Sequence, residues 1–150
     1  MASQAGCAFC AIVAGGEGHI VLDDEHCLAF LDHRPVFPGH CLLVPKEHFE
    51  TLTDLPPSHV ATLFLRARDL AAAVEAGMEA DGTFVAINNR VSQSVPHVHV
   101  HVVPRRKKDG LRGFFWPRLR YGSAEEMRDA QARIRGALER LVDKTGQDRS

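Results

Sequence analysis

A chain of 150 residues, 45% of them apolar, is long enough to bury a core and too apolar for disorder to be the default. Its formal net charge of -1 gives no global basic field, so no nucleic-acid partner is expected. No apolar run approaches a membrane span and no signal-peptide pattern opens the chain, which points to a cytoplasmic protein without membrane contact.

Cys7-Ala-Phe-Cys10 comes first, two thiols at the spacing that grips one tetrahedral metal ion. A redox pair and two idle thiols are the other readings, although no strand precedes the pair to make a thioredoxin-like unit. Gly15-Gly16-Glu17-Gly18 is a turn cluster, and Ile20 to Leu22 and Cys27 to Leu31 then read as a hairpin around Asp23-Asp24-Glu25. Asp32 follows the second strand, where a carboxylate either accepts two hydroxyl hydrogens or simply starts a turn before Pro35. His40 to Val44 is a near-continuous apolar run that suits a strand buried on both faces, with Cys27 and Cys41 as small core residues. The plain reading of His40 is a satisfied buried histidine, the alternative a partner for other histidines. Pro56 and Pro57 open a helix with Val60, Leu63, Phe64, Ala67, Leu70, Ala71, Val74 and Met78 as its core stripe and Arg66, Arg68, Asp69, Glu75 and Glu79 on its solvated face. Asp81-Gly82 should end it.

Thr83 to Ile87 is the next strand, joined by Asn88 to Val95 to the most informative stretch of the chain, Pro96-His97-Val98-His99-Val100-His101-Val102-Val103-Pro104. A period of two puts the three imidazoles on one strand face, about 6.7 Å apart, and the valines on the other. The valine face needs a core, so the histidine face looks into a pocket or solvent. Charging neighbouring imidazoles together is unfavourable without an anion or metal nearby, which argues against coincidence. In the joint, Asn88, Gln93 and Ser94 carry amides and a hydroxyl that would meet phosphate oxygens, or else make a polar turn. After the triad, Arg105-Arg106-Lys107-Lys108 reads as a solvated basic run or a grip on an anionic leaving group, with Trp116 as a candidate cover for a base. Ser123-Ala-Glu-Glu126 is a capping box that opens a last helix, its stripe running Met127, Ala130, Ile134, Ala137, Leu138, Leu141 and Val142, which packs or dimerises. Asp148-Arg149-Ser150 should fray.

His97-Val-His99-Val-His101-Val-Val resembles the histidine triad (HIT) signature at every position, and Phe30-Leu31-Asp32 with Pro35-Val36-Phe37-Pro38-Gly39-His40-Cys41-Leu42-Leu43-Val44-Pro45-Lys46 is similar to the nucleotide-binding half of that superfamily. The resemblance implies one α+β domain over residues 1–150, an antiparallel sheet of about five strands flanked by helices, and a homodimer. It implies that Asp32 holds a ribose diol, that Phe30 and Leu31 sandwich a purine, and that Asn88, Gln93 and Ser94 meet phosphate, although the joint here is shorter and lacks the family's glycines. With His101 where the transferase branch has glutamine, the chain resembles the hydrolases, whose central histidine, His99 here, attacks the α-phosphorus while His101 faces the phosphate. Family members that open with Cys-x-x-Cys bind structural zinc through positions matching Cys7, Cys10, His48 and His97. The implied partner is a purine nucleotide of AMP or GMP type or an adenylylated small molecule, and no organic cofactor is implied. Asn88 to His97 and Gly113 to Arg118 resemble plant members that act on adenosine 5′-phosphosulfate. Two other classes stay open on the residues: a zinc-dependent hydrolase with the triad as ligands, and a nucleotide-binding adaptor with little turnover.

Overall fold

A computed structural model describes residues 3–112 and 118–147, with side chains to 141. The calls on Gly113 to Pro117, including Trp116, on the side chain of Val142 and on the last three residues lie outside the described residues. The chain divides into two compact units, Met1–Asp109 and Gly110–Ser150.

In the first unit the elements run α1 (Ala8–Val13), β1 (Ile20–Asp23), β2 (Cys27–Leu31), β3 (Cys41–Pro45), a single 3-10 turn (Leu52–Asp54), α2 (Pro57–Gly77), β4 (Gly82–Ala86) and β5 (Val100–Arg105). The strands form one antiparallel sheet in the order β1-β2-β3-β5-β4. This is the α+β architecture expected, with five strands. Strand alternation sorts the apolar residues into two layers. Cys27, Ala29, Cys41, Leu43, Val98, Val100 and Val102 face α2, whose Leu63, Ala67, Leu70 and Val74 complete the main core. Leu28, Phe30, Leu42 and Val44 face the other way, where Phe9 and Ile12 of α1 cover them. The histidines share this second face. His101 pairs with Leu42 and Leu42 with Phe30, so one row across the sheet runs from the triad to the aromatic ring of β2.

Three sequence expectations need correction. The regular strand begins at Val100, so His97 lies in a bend, its amide donating to Val95 O at 2.8 Å, and His99 in the approach to the strand, where Val98 N donates to Phe49 O at 2.7 Å. Alternation survives because the valines are pulled into the core; Val98, Val100 and Val102 are wholly buried. Helix α2 stops at Gly77, not at Asp81-Gly82, because Glu79 turns left-handed (φ 51°) and Gly82 already belongs to β4. Phe64, placed in the core stripe, is instead exposed. α1 has no counterpart in the sequence reading.

The second unit holds α3 (Ala124–Gln147). Ser123 Oγ accepts from Glu126 N at 3.1 Å, but the Glu126 carboxylate accepts from Gly122 N rather than closing the expected box on Ser123. Met127, Ile134, Leu138 and Leu141 of its stripe are exposed.

Candidate active site and metal cluster

Main-chain groups set the protonation of the histidine face. Val36 N donates to His40 Nδ1 at 3.1 Å, so that nitrogen carries a lone pair and the proton of the neutral ring sits on Nε2. His40 Nε2 then donates to His101 Nδ1 at 3.0 Å, which in turn places the His101 proton on its own Nε2. His99 Nδ1 donates to the His97 carbonyl at 2.7 Å, leaving the His99 Nε2 lone pair free. His97 Nε2 donates to the Pro45 carbonyl at 2.8 Å, leaving its Nδ1 free. Each assignment holds for the neutral rings, and burial keeps them neutral. It lowers His99 and His40 from the ordinary histidine value and takes His97 and His101 down to about 4. The Asp32 carboxylate pulls His99, His101 and His40 the other way without overcoming burial.

Stability should therefore fall with acid. Above about 6.5 His101 is neutral whether folded or unfolded; between that value and about 4 the unfolded chain takes up a proton that the folded one refuses. The contribution, on the order of 3 kcal/mol, is fully present above the ordinary histidine value and lost as pH drops toward 4. Urea midpoints across pH 7 to 4 for wild type and His101→Asn would show a smaller acid loss in the variant.

His99 and His101 line a cavity of about 370 Å³ with Phe30, Leu31, Asp32 and Ser94, as well as Ala8, Phe9 and Ile12 of α1. Six of the eight nucleotide-contact candidates thus meet in one place. Asn88 and Gln93 are not part of the lining. Gln93 Oε1 accepts from Arg90 N at 2.7 Å and its Nε2 donates to Glu50 O at 2.6 Å, which spends the amide on tying the joint to the segment before α2. Asp32 starts a local turn, its Oδ1 accepting from Arg34 N at 2.9 Å, and its side chain also borders the cavity. The basic run after β5 stays outside the lining; Arg105 donates twice to Asp109, and Arg106 reaches the Met78 carbonyl. His40 is buried and bonded to His101, so the two readings of it coincide.

Behind the cavity, Cys7, Cys10, His48 and His97 bring one ligand atom each within 4.8 Å of the others. The Sγ to Nδ1 separations are 3.5 Å (Cys7 to His97), 3.6 Å (Cys10 to His97) and 3.3 Å (Cys10 to His48). Tetrahedral zinc, with bonds of about 2.3 Å to sulfur and about 2.0 Å to nitrogen, requires roughly 3.5 Å between such atoms. His48 Nε2 is buried without a hydrogen-bond partner among the described residues, so a metal bond at Nδ1 is what would offset burying that ring. The donor set fits zinc. A second cluster, Asp32, His40 and His101, does not read as a metal site, because the Val36 amide forces a proton onto the His40 nitrogen that meets His101.

A five-stranded antiparallel sheet that carries alternating histidines over a ligand-sized cavity is the architecture of histidine triad proteins. Residues 16–108 match the HIT domain model, and the chain belongs to the HIT family. It is 44% identical over 108 residues to an uncharacterized HIT-like protein of Mycobacterium tuberculosis, covering 70% of this chain and 75% of that one. It is 34% identical over 111 residues to adenylylsulfatase HINT3 of Arabidopsis thaliana, covering 72% of this chain and 56% of that one. A Zn-bound histidine triad family protein from Mycobacterium smegmatis superposes with a TM-score of 0.68 at 40% identity, over 88% of this chain and 97% of that one. No helix among the described residues is long and apolar enough to cross a membrane.

Proposed function

We propose that this protein is a nucleotide hydrolase or nucleotidyl transferase that cleaves a nucleoside 5′-phosphate derivative at the α-phosphorus. The observation that carries the reading is the free Nε2 lone pair of His99 on a ring that lines the cavity, its Nδ1 proton held by the His97 carbonyl. That nitrogen attacks phosphorus, the bond to the leaving group breaks and takes its electron pair along, and a nucleotidyl-His99 intermediate forms. The proton that the hydrogen-bond chain places on His101 Nε2 is available to a phosphoryl oxygen, and Ser94 borders the same space. Water then cleaves the phosphorus–nitrogen bond. Phe30 and Leu31 bound the space for a purine and Asp32 that for a ribose, its Oδ1 engaged by the local turn and its Oδ2 3.7 Å from His40 Nδ1. HINT3 supports an adenylylated substrate, and of the phosphosulfate, dinucleoside polyphosphate and phosphoramidate classes we favour adenosine 5′-phosphosulfate.

Zinc, when bound by Cys7, Cys10, His48 and His97, supplies a structural clasp rather than a reacting centre, because the ligating nitrogen of His97 points to the cysteines while His99 keeps its own. The single domain, the homodimer and the cytoplasmic location belong to the same proposal. Quenching the protein in alkaline denaturant milliseconds after mixing with an adenylylated substrate should trap a chain heavier by one adenylyl group, because a phosphorus–nitrogen bond to histidine survives base and is hydrolysed in acid. Turnover with no such adduct at any quench time would overturn the covalent route.

A further inference from the structure

The metal cluster and the cavity share one short helix. α1 spans six residues, Ala8–Val13, well below the roughly 12 residues at which an isolated helix becomes even marginal. Its shape is therefore borrowed from what holds it down. Cys7 caps it, accepting from Cys10 N at 3.4 Å, and Cys10 is buried against His48 and His97. From the same turn and a half Ala8, Phe9 and Ile12 line the cavity. The Phe9 ring stands edge-on to His99, centroids 5.1 Å apart at 87°, and edge-on to Phe30 at 5.3 Å. Thiols and cavity wall thus alternate along α1, and neither set can move without the other.

We propose that zinc at the Cys7, Cys10, His48, His97 cluster and nucleotide in the cavity bind cooperatively, with α1 as the shared element. Resting on the nucleotide reading above, the proposal adds to it that zinc holds the wall against which the ligand lies. Linkage makes the effect reciprocal: the factor by which zinc tightens nucleotide binding is the factor by which nucleotide tightens zinc binding. A tenfold factor or more is expected, within the usual range of about 5–150-fold for such couplings.

The test uses AMP as the probe, which needs no turnover. Its dissociation constant would be measured by calorimetry on the zinc-loaded, chelator-stripped and zinc-restored protein, with circular dichroism to follow the fold. Stripping should weaken AMP binding at least tenfold and restoration should reverse it. Equal affinity for AMP in a folded stripped protein and the loaded one overturns the coupling. Transfer of zinc to a chromophoric chelator gives the reciprocal reading. AMP should slow it in wild type, and saturating AMP should lose most of that protection in Phe9→Ala or Ile12→Ala, which keep all four ligands. If stripping unfolds the chain, this second measurement decides, and undiminished protection in both variants overturns the proposal. Failure of the zinc-loaded protein to bind AMP at all would instead overturn the nucleotide reading, and this inference with it.

Discussion

His99→Ala should abolish turnover of an adenylylated substrate, by a factor on the order of 10⁴ or more, while leaving AMP affinity within a few-fold of wild type. The substitution removes the attacking nitrogen and a ring edge under Phe9, but Phe30, Leu31, Asp32 and Ser94 still border the cavity. His101 keeps its tautomer, because His40 and the Val36 amide set it without reference to His99. Stopped-flow release of the leaving group paired with AMP titration checks both halves. Wild-type-like turnover would remove His99 as nucleophile, whereas loss of AMP binding would show that the ring serves to shape the cavity instead.

The second large effect is on stability. A Cys7→Ser/Cys10→Ser double variant should lose zinc and several kcal/mol with it, lowering the melting temperature by about 10 °C or more. Two of the four candidate ligands are replaced, and His48 loses the metal bond at Nδ1 while its Nε2 stays buried without a partner among the described residues. Catalysis should respond differently from stability. His99, the proposed nucleophile, is positioned by the His97 carbonyl and lies outside the metal cluster, so single-turnover transfer at saturating substrate should persist in the folded variant. Elemental analysis, calorimetric melting and rapid-quench kinetics separate the outcomes. Complete loss of transfer in a variant that remains folded would return the metal to the chemistry.

Much of this could be read in the sequence because period-two patterns are dense where the sheet is most buried. Cys27 to Leu31, Cys41 to Pro45 and the valines of β5 carry their burial in their spacing. The triad and the cluster ligands were legible for a different reason: imidazoles and thiols are few, and their spacing is chemical as well as structural. What escaped was short or relational. α1 is too brief for helical periodicity to register, and its cavity-lining Phe9 and Ile12 are ordinary apolar residues whose role depends on where two thiols tether them. The Cys7-x-x-Cys10 spacing was the available signal. Gln93 has the right chemistry to meet a phosphate, but Glu50 competes for its amide, and no local pattern reveals a partner 43 residues away. His40 is of the same kind, its bond to His101 spanning 61 residues.

The charge state of the site is written in peptide groups. The Val36 amide and the Pro45 and His97 carbonyls decide where each of four imidazole protons resides, directly or through one intervening ring. Side-chain replacement at those three positions leaves the amide or carbonyl itself in place, except that proline at 36 would delete a donor. Apart from His40, whose ring relays the Val36 amide to His101, the surrounding side chains do not set these tautomers, so the cavity wall can be re-cut without re-tuning His99. The same fact limits transplantation. Grafting three alternating histidines onto another sheet would carry over the imidazoles but not their protonation, unless the host also presented one inward amide, two carbonyls and a fourth imidazole in the place of His40.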